Sequence, residues 1–168
     1  MTRTVAREIS VQLGFGLADQ PEDAGEALTR FFDREYFATL GAENALYSEY
    51  PDKKQLAYIE TLVRGTAEHR DGLDVFIEKY AKGWKLTRIS RIALAILRTA
   101  LFELLYMDEV PDSVAINEAV ELAKGYEEPE TVAFINGILG AFMRGERCAE
   151  PTDAREAAAE ADMPVPET

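Results

Sequence analysis

The sequence predicts an all-α fold, and three observations lead there. Apolar residues recur at intervals of three and four in segment after segment, the period of a helix with one buried face. Proline and acidic residues stand where helices begin, at Pro21–Glu22–Asp23, Pro51–Asp52 and Pro129–Glu130. The alternating apolar–polar pattern of strands is missing, as is any repeat of fixed period.

The elements follow in order. Residues 3–19 place Val5, Ile9, Leu13 and Leu17 on one face of a first helix. Residues 21–38 predict a second, with Leu28, Phe31, Phe32 and Tyr36 as its buried stripe. A loop is expected from Gly41 to Tyr50. A third helix enters at Pro51–Asp52 and buries Leu56, Ile59, Leu62, Val63 and Ala67. After a break at Asp71–Gly72, a short fourth helix carries Leu73, Phe76, Ile77 and Tyr80 and ends at Gly83. The fifth helix, 88–106 with Thr87 as its cap, is apolar almost all round and needs neighbours on most sides. Val110–Pro111 makes a turn; Asp112 or Ser113 caps the sixth helix, which runs to Lys124; Pro129 opens the seventh, which ends near Met143. Seven helices with short connections predict a bundle. The gap at Gly83 divides it into halves of about 1–83 and 84–144, and the acidic segment 145–168 is expected to be disordered.

Composition narrows the function. The chain has one cysteine, Cys148, and one histidine, His69, so an internal disulfide is excluded and a zinc cluster is not foreseen; a reducing cytoplasmic setting fits. A Cys148–His69 nucleophile pair is much the weaker reading beside a free thiol and a surface imidazole. No metal, no cofactor and no catalytic activity are expected. The apolar run Ile89–Tyr106 carries Arg91, Arg98 and Glu103, each costly in lipid, and reads as a core helix rather than a membrane span. The formal net charge of −13 opposes nonspecific binding to polyanions. Local charge differs, however: Lys79, Lys82, Lys85, Arg88, Arg91 and Arg98 occur from Lys79 to Phe102 without one acidic residue, and Arg3 and Arg7 form a second basic spot. Such blocks are either solvated helix surface or a phosphate-binding face.

Several segments resemble the NusB family of bacterial transcription antitermination proteins. They are Ala6-Arg7-Glu8 with Gln12-Leu13; Leu62-Val63 with Gly65; Trp84 leading into Arg88-Ile89; Ile96-Leu97-Arg98 followed by Phe102-Glu103-Leu104-Leu105; Val110-Pro111; Ala115-Ile116-Asn117-Glu118-Ala119-Val120-Glu121-Leu122-Ala123-Lys124; and Phe134-Ile135-Asn136-Gly137-Ile138-Leu139. The last two together are the specific signature. The resemblance implies two three-helix bundles, no enzymatic activity, and binding of a short single-stranded boxA-type RNA together with the small-subunit ribosomal protein NusE, on the RNA polymerase elongation complex. It implies Arg3, Arg7, Gln12 and Phe134 as RNA-facing positions, to which the basic block adds Lys82, Lys85 and Arg88. It implies Phe15, Arg91 and Glu103 for the protein partner. Phe134 fits core packing equally well, and Asn117 and Asn136 fit structural roles. Arg98 is expected to pair with a carboxylate such as Glu103.

The chain departs from the family pattern where partners are met: Thr2, Thr4 and Val5 thin the N-terminal arginines, Phe15 replaces a tyrosine, Asp112 and Ser113 follow the Val-Pro turn, and Ala93 and Ala133 replace charged residues. These losses leave a second expectation open, a diverged interaction module that binds NusE, or a second copy of itself, with weak or lost RNA binding.

Overall fold

Eight α-helices, and no strand, form among residues 1–147, the residues described by the computed structural model. Cys148 and nearly all of the acidic segment lie outside the described residues. The chain divides into two compact units, Met1–Glu68 and the part from His69 onward. Helix α5, which the glycine gap at Gly83 would leave with the first half, packs instead on α6 and α8 of the second unit.

The first unit holds α1 (Arg3–Gly16), α2 (Ala24–Phe31), α3 (Arg34–Glu43) and α4 (Lys53–Glu68). Thr2 caps α1, its hydroxyl accepting from the Val5 amide at 3.2 Å. At α4 the expected proline entry becomes a capping box: Asp52 accepts from the Gln55 amide at 2.9 Å, and Gln55 accepts from the Asp52 amide at 3.1 Å. α1 lies against α4, with Ile9, Ile59 and Leu62 fully buried.

The predicted helix 21–38 is two helices. A 3-10 turn at Pro21–Asp23 leads into α2, the chain breaks at Phe32, and the Asp33 carboxylate restarts α3 by accepting from the Tyr36 amide at 3.0 Å. The reason is geometric. In one continuous helix Phe32 and Phe37 would point about 140° apart and could not share a core. The break lets both turn inward, where their rings stack at 5.9 Å, with Tyr47 and Tyr50 edge-on to Phe37. Phe37 is therefore buried and Tyr36, expected in the stripe, is exposed. The expected loop 41–50 is partly helical, with α3 running to Glu43 and a 3-10 turn at Ala45–Tyr47.

The second unit holds α5 (Arg70–Tyr80), α6 (Arg91–Tyr106), α7 (Asp112–Tyr126) and α8 (Pro129–Phe142), followed by a π-type turn at Met143–Arg147. α6 is its centre and is buried on nearly every side, Leu97, Leu101 and Leu105 completely. Each such side chain contributes about 1.5–3 kcal/mol. α7 meets α6 through the small stripe Ala115, Ala119 and Ala123, which lets the two backbones approach closely. Ser90, not Thr87, caps α6, its hydroxyl accepting from the Ala93 amide at 3.1 Å. Pro111, rather than Asp112 or Ser113, occupies the cap position of α7. Pro129 opens α8 as the sequence indicates. Among the described residues no helix is long and apolar enough to cross a membrane.

Arg98 pairs with Asp74 of α5, not with Glu103. The two make a bidentate ion pair, Nε to Oδ1 at 2.7 Å and Nη2 to Oδ2 at 3.0 Å, and both side chains are largely shielded. The planar guanidinium fork matches the carboxylate.

Candidate nucleic-acid interface

The site grows from the end of α5. Ala81 caps the helix, and Gly83 reverses the chain with a φ of 81°, a left-handed conformation that glycine adopts without a Cβ clash. The Trp84 amide bonds back to the Ala81 carbonyl at 2.9 Å. A 3-10 turn at Leu86–Arg88 follows, and buried Ile89 anchors the far end before Ser90 starts α6. The loop is thus held at both ends while its middle stands out. Lys82, Lys85 and Arg88 are all exposed, and none enters an ion pair among the described residues.

Trp84 is 53% exposed. Its ring meets that of Phe134 on α8, with centroids 5.5 Å apart and planes at 54°. Phe134 is half-buried: its ring packs against Trp84 while part of it reaches solvent. Trp84 on the loop, Phe134 on α8 and three cations without a carboxylate partner among the described residues have the chemistry that stacks unpaired bases and holds phosphates.

Beside it, α7 and α8 frame a groove of about 590 Å³. Val120 and Val132 give it an apolar lining, and Asn117 and Asn136 offer amide groups. Both asparagines are exposed and neither side chain makes a hydrogen bond among the described residues, so the capping or bridging role expected for Asn117 is not the one it has. Ala133 also lines the groove, with Lys124 at its wall held 2.6 Å from Glu121.

The first unit treats its basic residues differently. Arg3 is exposed, and its guanidinium carbon lies 4.3 Å from the centre of the Tyr58 ring. Arg7 is only 3% exposed and approaches the same ring at 5.7 Å. The Arg7 charge faces the protein interior rather than a ligand, which corrects its reading as a surface phosphate contact. Gln12 accepts a short hydrogen bond from the Tyr47 hydroxyl, so its amide braces α1 against the aromatic cluster. Burial, with Glu8 nearby, pushes the Tyr47 phenol up, which keeps it a donor.

Of the residues implied for a protein partner, Phe15 at the end of α1 and Arg91 at the start of α6 are exposed, whereas Glu103 is 1% exposed. Glu103 is buried in this structure, which corrects its reading as a surface contact for a partner.

Residues 4–144 match the NusB family. The chain belongs to that family. A transcription antitermination protein NusB of Acetivibrio thermocellus is 39% identical over 144 residues, covering 86% of this chain and 90% of the relative. The Symbiobacterium thermophilum protein of the same name is 35% identical over 153 residues, covering 91% and 96%. A solved structure of T. maritima NusB superposes with a TM-score of 0.65 at 24% identity, over 91% of this chain and 98% of that one, a likeness of fold.

Within this NusB-family chain, the structure gathers Lys82, Lys85, Arg88 and Phe134 in the second unit and leaves Arg3 exposed on the first. Trp84 is the site residue that sequence reasoning passed over as a mere family marker. Its signal was legible: a lone tryptophan between two lysines, directly after a glycine that ends a helix, has little chance of reaching a core.

Proposed function

We propose that this chain is a transcription antitermination factor. It binds a single-stranded boxA-type RNA together with the ribosomal protein NusE and acts with the RNA polymerase elongation complex in the cytoplasm. The observation that carries this reading is exposed Trp84, backed by Phe134 of α8, on a loop with three cations that have no ion-pair partner among the described residues. RNA phosphates lie along Lys82, Lys85 and Arg88, a base stacks on Trp84, and the neighbouring groove presents Asn117 and Asn136 to base edges. Arg3, exposed on the first unit, is a separate candidate phosphate contact. Phe15 and Arg91 are the exposed positions left for the protein partner.

The test is an anisotropy titration of a labelled boxA-type RNA with the full chain, with and without NusE, across a salt series. Binding that strengthens with NusE and weakens linearly in log salt is the expected result. Absence of binding at low salt with both proteins present overturns the reading. A second reading, an interaction module without RNA recognition, is favoured by one observation: Arg7 and Gln12 are engaged inside the first unit. A pull-down that recovers NusE while RNA fails to bind would select it.

A further inference from the structure

The first unit contains a hollow of about 300 Å³ between α3 and the turn that follows it. Helix α3 supplies one wall, where Arg34, Phe37, Ala38 and Gly41 recur at intervals of three and four and share a face. Gly41 sits so close to the Tyr47 carbonyl that a methyl group in its place would collide with it. That close approach holds the turn against the helix, and the small side chain of Ala38 leaves the space between them open. Phe37, 2% exposed, lies at the base, and its ring meets those of Tyr47 and Tyr50 edge-on at 5.9 and 5.2 Å. Both phenol hydroxyls are spent on groups that do not line the hollow, Tyr47 on Gln12 and Tyr50 on the Phe32 carbonyl at 2.6 Å. The tyrosines therefore present rings to it rather than hydroxyls.

Two polar side chains remain at the hollow, Arg34 and Ser48. The Arg34 guanidinium carbon lies 4.2 Å from the centre of the Tyr50 ring, and the group has no carboxylate partner among the described residues. A guanidinium held on a ring keeps its N–H edge for hydrogen bonds, a fork that matches an oxyanion. The Ser48 hydroxyl makes no hydrogen bond among the described residues and adds a second donor. Rings beside a donor fork suit a flat ligand that carries an oxyanion. Size and charge narrow the class. Ligand pockets run upward from about 300 Å³, so this one holds a single ring and little more. Arg34 offers one positive charge, and the same helix carries exposed Glu35 and Glu43. A phosphate monoester, with a charge of about −1.5 to −2, is repelled there more than a carboxylate with one charge.

We infer that this hollow binds a small aromatic monocarboxylate: the ligand ring packs on Phe37 between Tyr47 and Tyr50, and its carboxylate is held by the Arg34 fork and the Ser48 hydroxyl. Tyr50 positions the guanidinium before the ligand arrives, which lowers the ordering cost of binding. Ala38 sets the size limit, because a larger side chain there takes the place of the ligand ring. The site lies within the first unit and shares no residue with the Trp84–Phe134 surface, so it stands or falls independently of the function proposed above.

The experiment titrates para-fluorobenzoate into the full chain and follows it by fluorine NMR and by the backbone amide resonances of Gly41 and Ser48. Saturable binding with a dissociation constant on the order of 1 mM is expected of so small a ligand. The uncharged para-fluorobenzamide, nearly the same in shape, is expected to bind about tenfold more weakly or worse, because it cannot make the charge-assisted pair with Arg34. Arg34→Gln should cost a similar factor, and Ser48→Ala about two- to fivefold. Ala38→Leu, at an exposed helix position, should fill the hollow and abolish binding while Arg34 is intact. Circular dichroism melts check that the three variants stay folded. Uridine monophosphate and inorganic phosphate should fail to displace the probe at equal concentration. Absence of saturation overturns the inference, as do equal binding of the benzamide, amide shifts that spare Gly41 and Ser48, or unchanged binding by both Arg34→Gln and Ala38→Leu. Displacement by uridine monophosphate or by phosphate overturns the carboxylate as the ligand class.

Discussion

Helix α1 and the loop from Lys82 to Ile89 carry similar basic residues and use them in opposite ways. In α1, Arg7 is buried beside Tyr58 and Gln12 is bonded to Tyr47, while Arg3 rests on the outer side of the same Tyr58 ring. In the loop, Lys82, Lys85 and Arg88 touch solvent and no carboxylate of the described residues. The difference is one of setting rather than residue type. A cation on a helix packed along its length is either drawn into the interface and given polar or aromatic company, because burying it alone is costly, or pushed to the rim. A cation on a loop held at both ends keeps its hydration at no cost and stays available. Charge near the N-terminus of this protein is thus mainly structural, and charge in the loop is free to act.

Five measurements sharpen or break that contrast. The largest effect is expected where a buried cation loses its partner: Asp74→Ala strands Arg98 and lowers stability by about 3–5 kcal/mol in urea unfolding. A cost under about 1 kcal/mol would mean that helix-borne cations are not structural here. Next, Trp84→Ala weakens RNA binding by about 1–3 kcal/mol, the contribution of one stacked base. Its unfolding free energy falls by no more than about 1.5 kcal/mol, the worth of the lost aromatic pair. Arg7→Ala should show the reverse balance, a stability loss of about 1–3 kcal/mol with RNA affinity little changed in the fraction that remains folded. Equal affinity losses for the two variants would erase the distinction between the regions.

Smaller still is Lys85→Ala, which removes one phosphate contact. The slope of log affinity against log salt drops by about 0.7, read from the same titrations; an unchanged slope removes Lys85 from the interface. The smallest effect is a pH dependence at Glu146. Burial pushes its carboxyl up, but the hydrogen bonds from Lys79 and Tyr80 outweigh that and hold it below the usual carboxylate range. Lys79 is raised in turn, chiefly by its hydrogen bond to Glu146. A depressed carboxyl stabilises the fold above its unfolded pKa and ceases to do so as pH falls through the folded one. A raised lysine contributes up to its ordinary range and is lost above it. The contact is therefore intact between the carboxylate and lysine ranges. Urea midpoints of the natural chain and Glu146→Gln should differ there and converge in acid; a constant gap down to strongly acidic pH would refute the assignment.

Much of the second unit could be read directly. The apolar circumference of α6 foretold its central place, Pro129 marked the start of α8, and the Ala115–Ala119–Ala123 spacing lies within the family signature. Local readings failed where two signals of the same kind competed. Thr87 and Ser90 are both cap residues, and the choice fell to Ser90 because Ile89 had to be buried just ahead of the helix. Phe31, Phe32 and Tyr36 fit one helical stripe, but the aromatic cluster needed Phe37, and Asp33 supplied the cap that allowed a break. Arg98 had carboxylates on its own helix and on α5 to choose from, and only the packing of α5 on α6 brought Asp74 within reach.

The sequence by itself determined the helical class, the family, the approximate span of most helices and the position of the basic block, because periodicity, capping residues and charge runs are local properties of the chain. Tertiary structure alone decided which basic residues are surface groups and which are framework. It also decided that Trp84 meets Phe134 and that Glu103 is buried. Each of those outcomes depends on which faces of distant helices are covered, and coverage is set by the mutual packing of segments far apart in sequence.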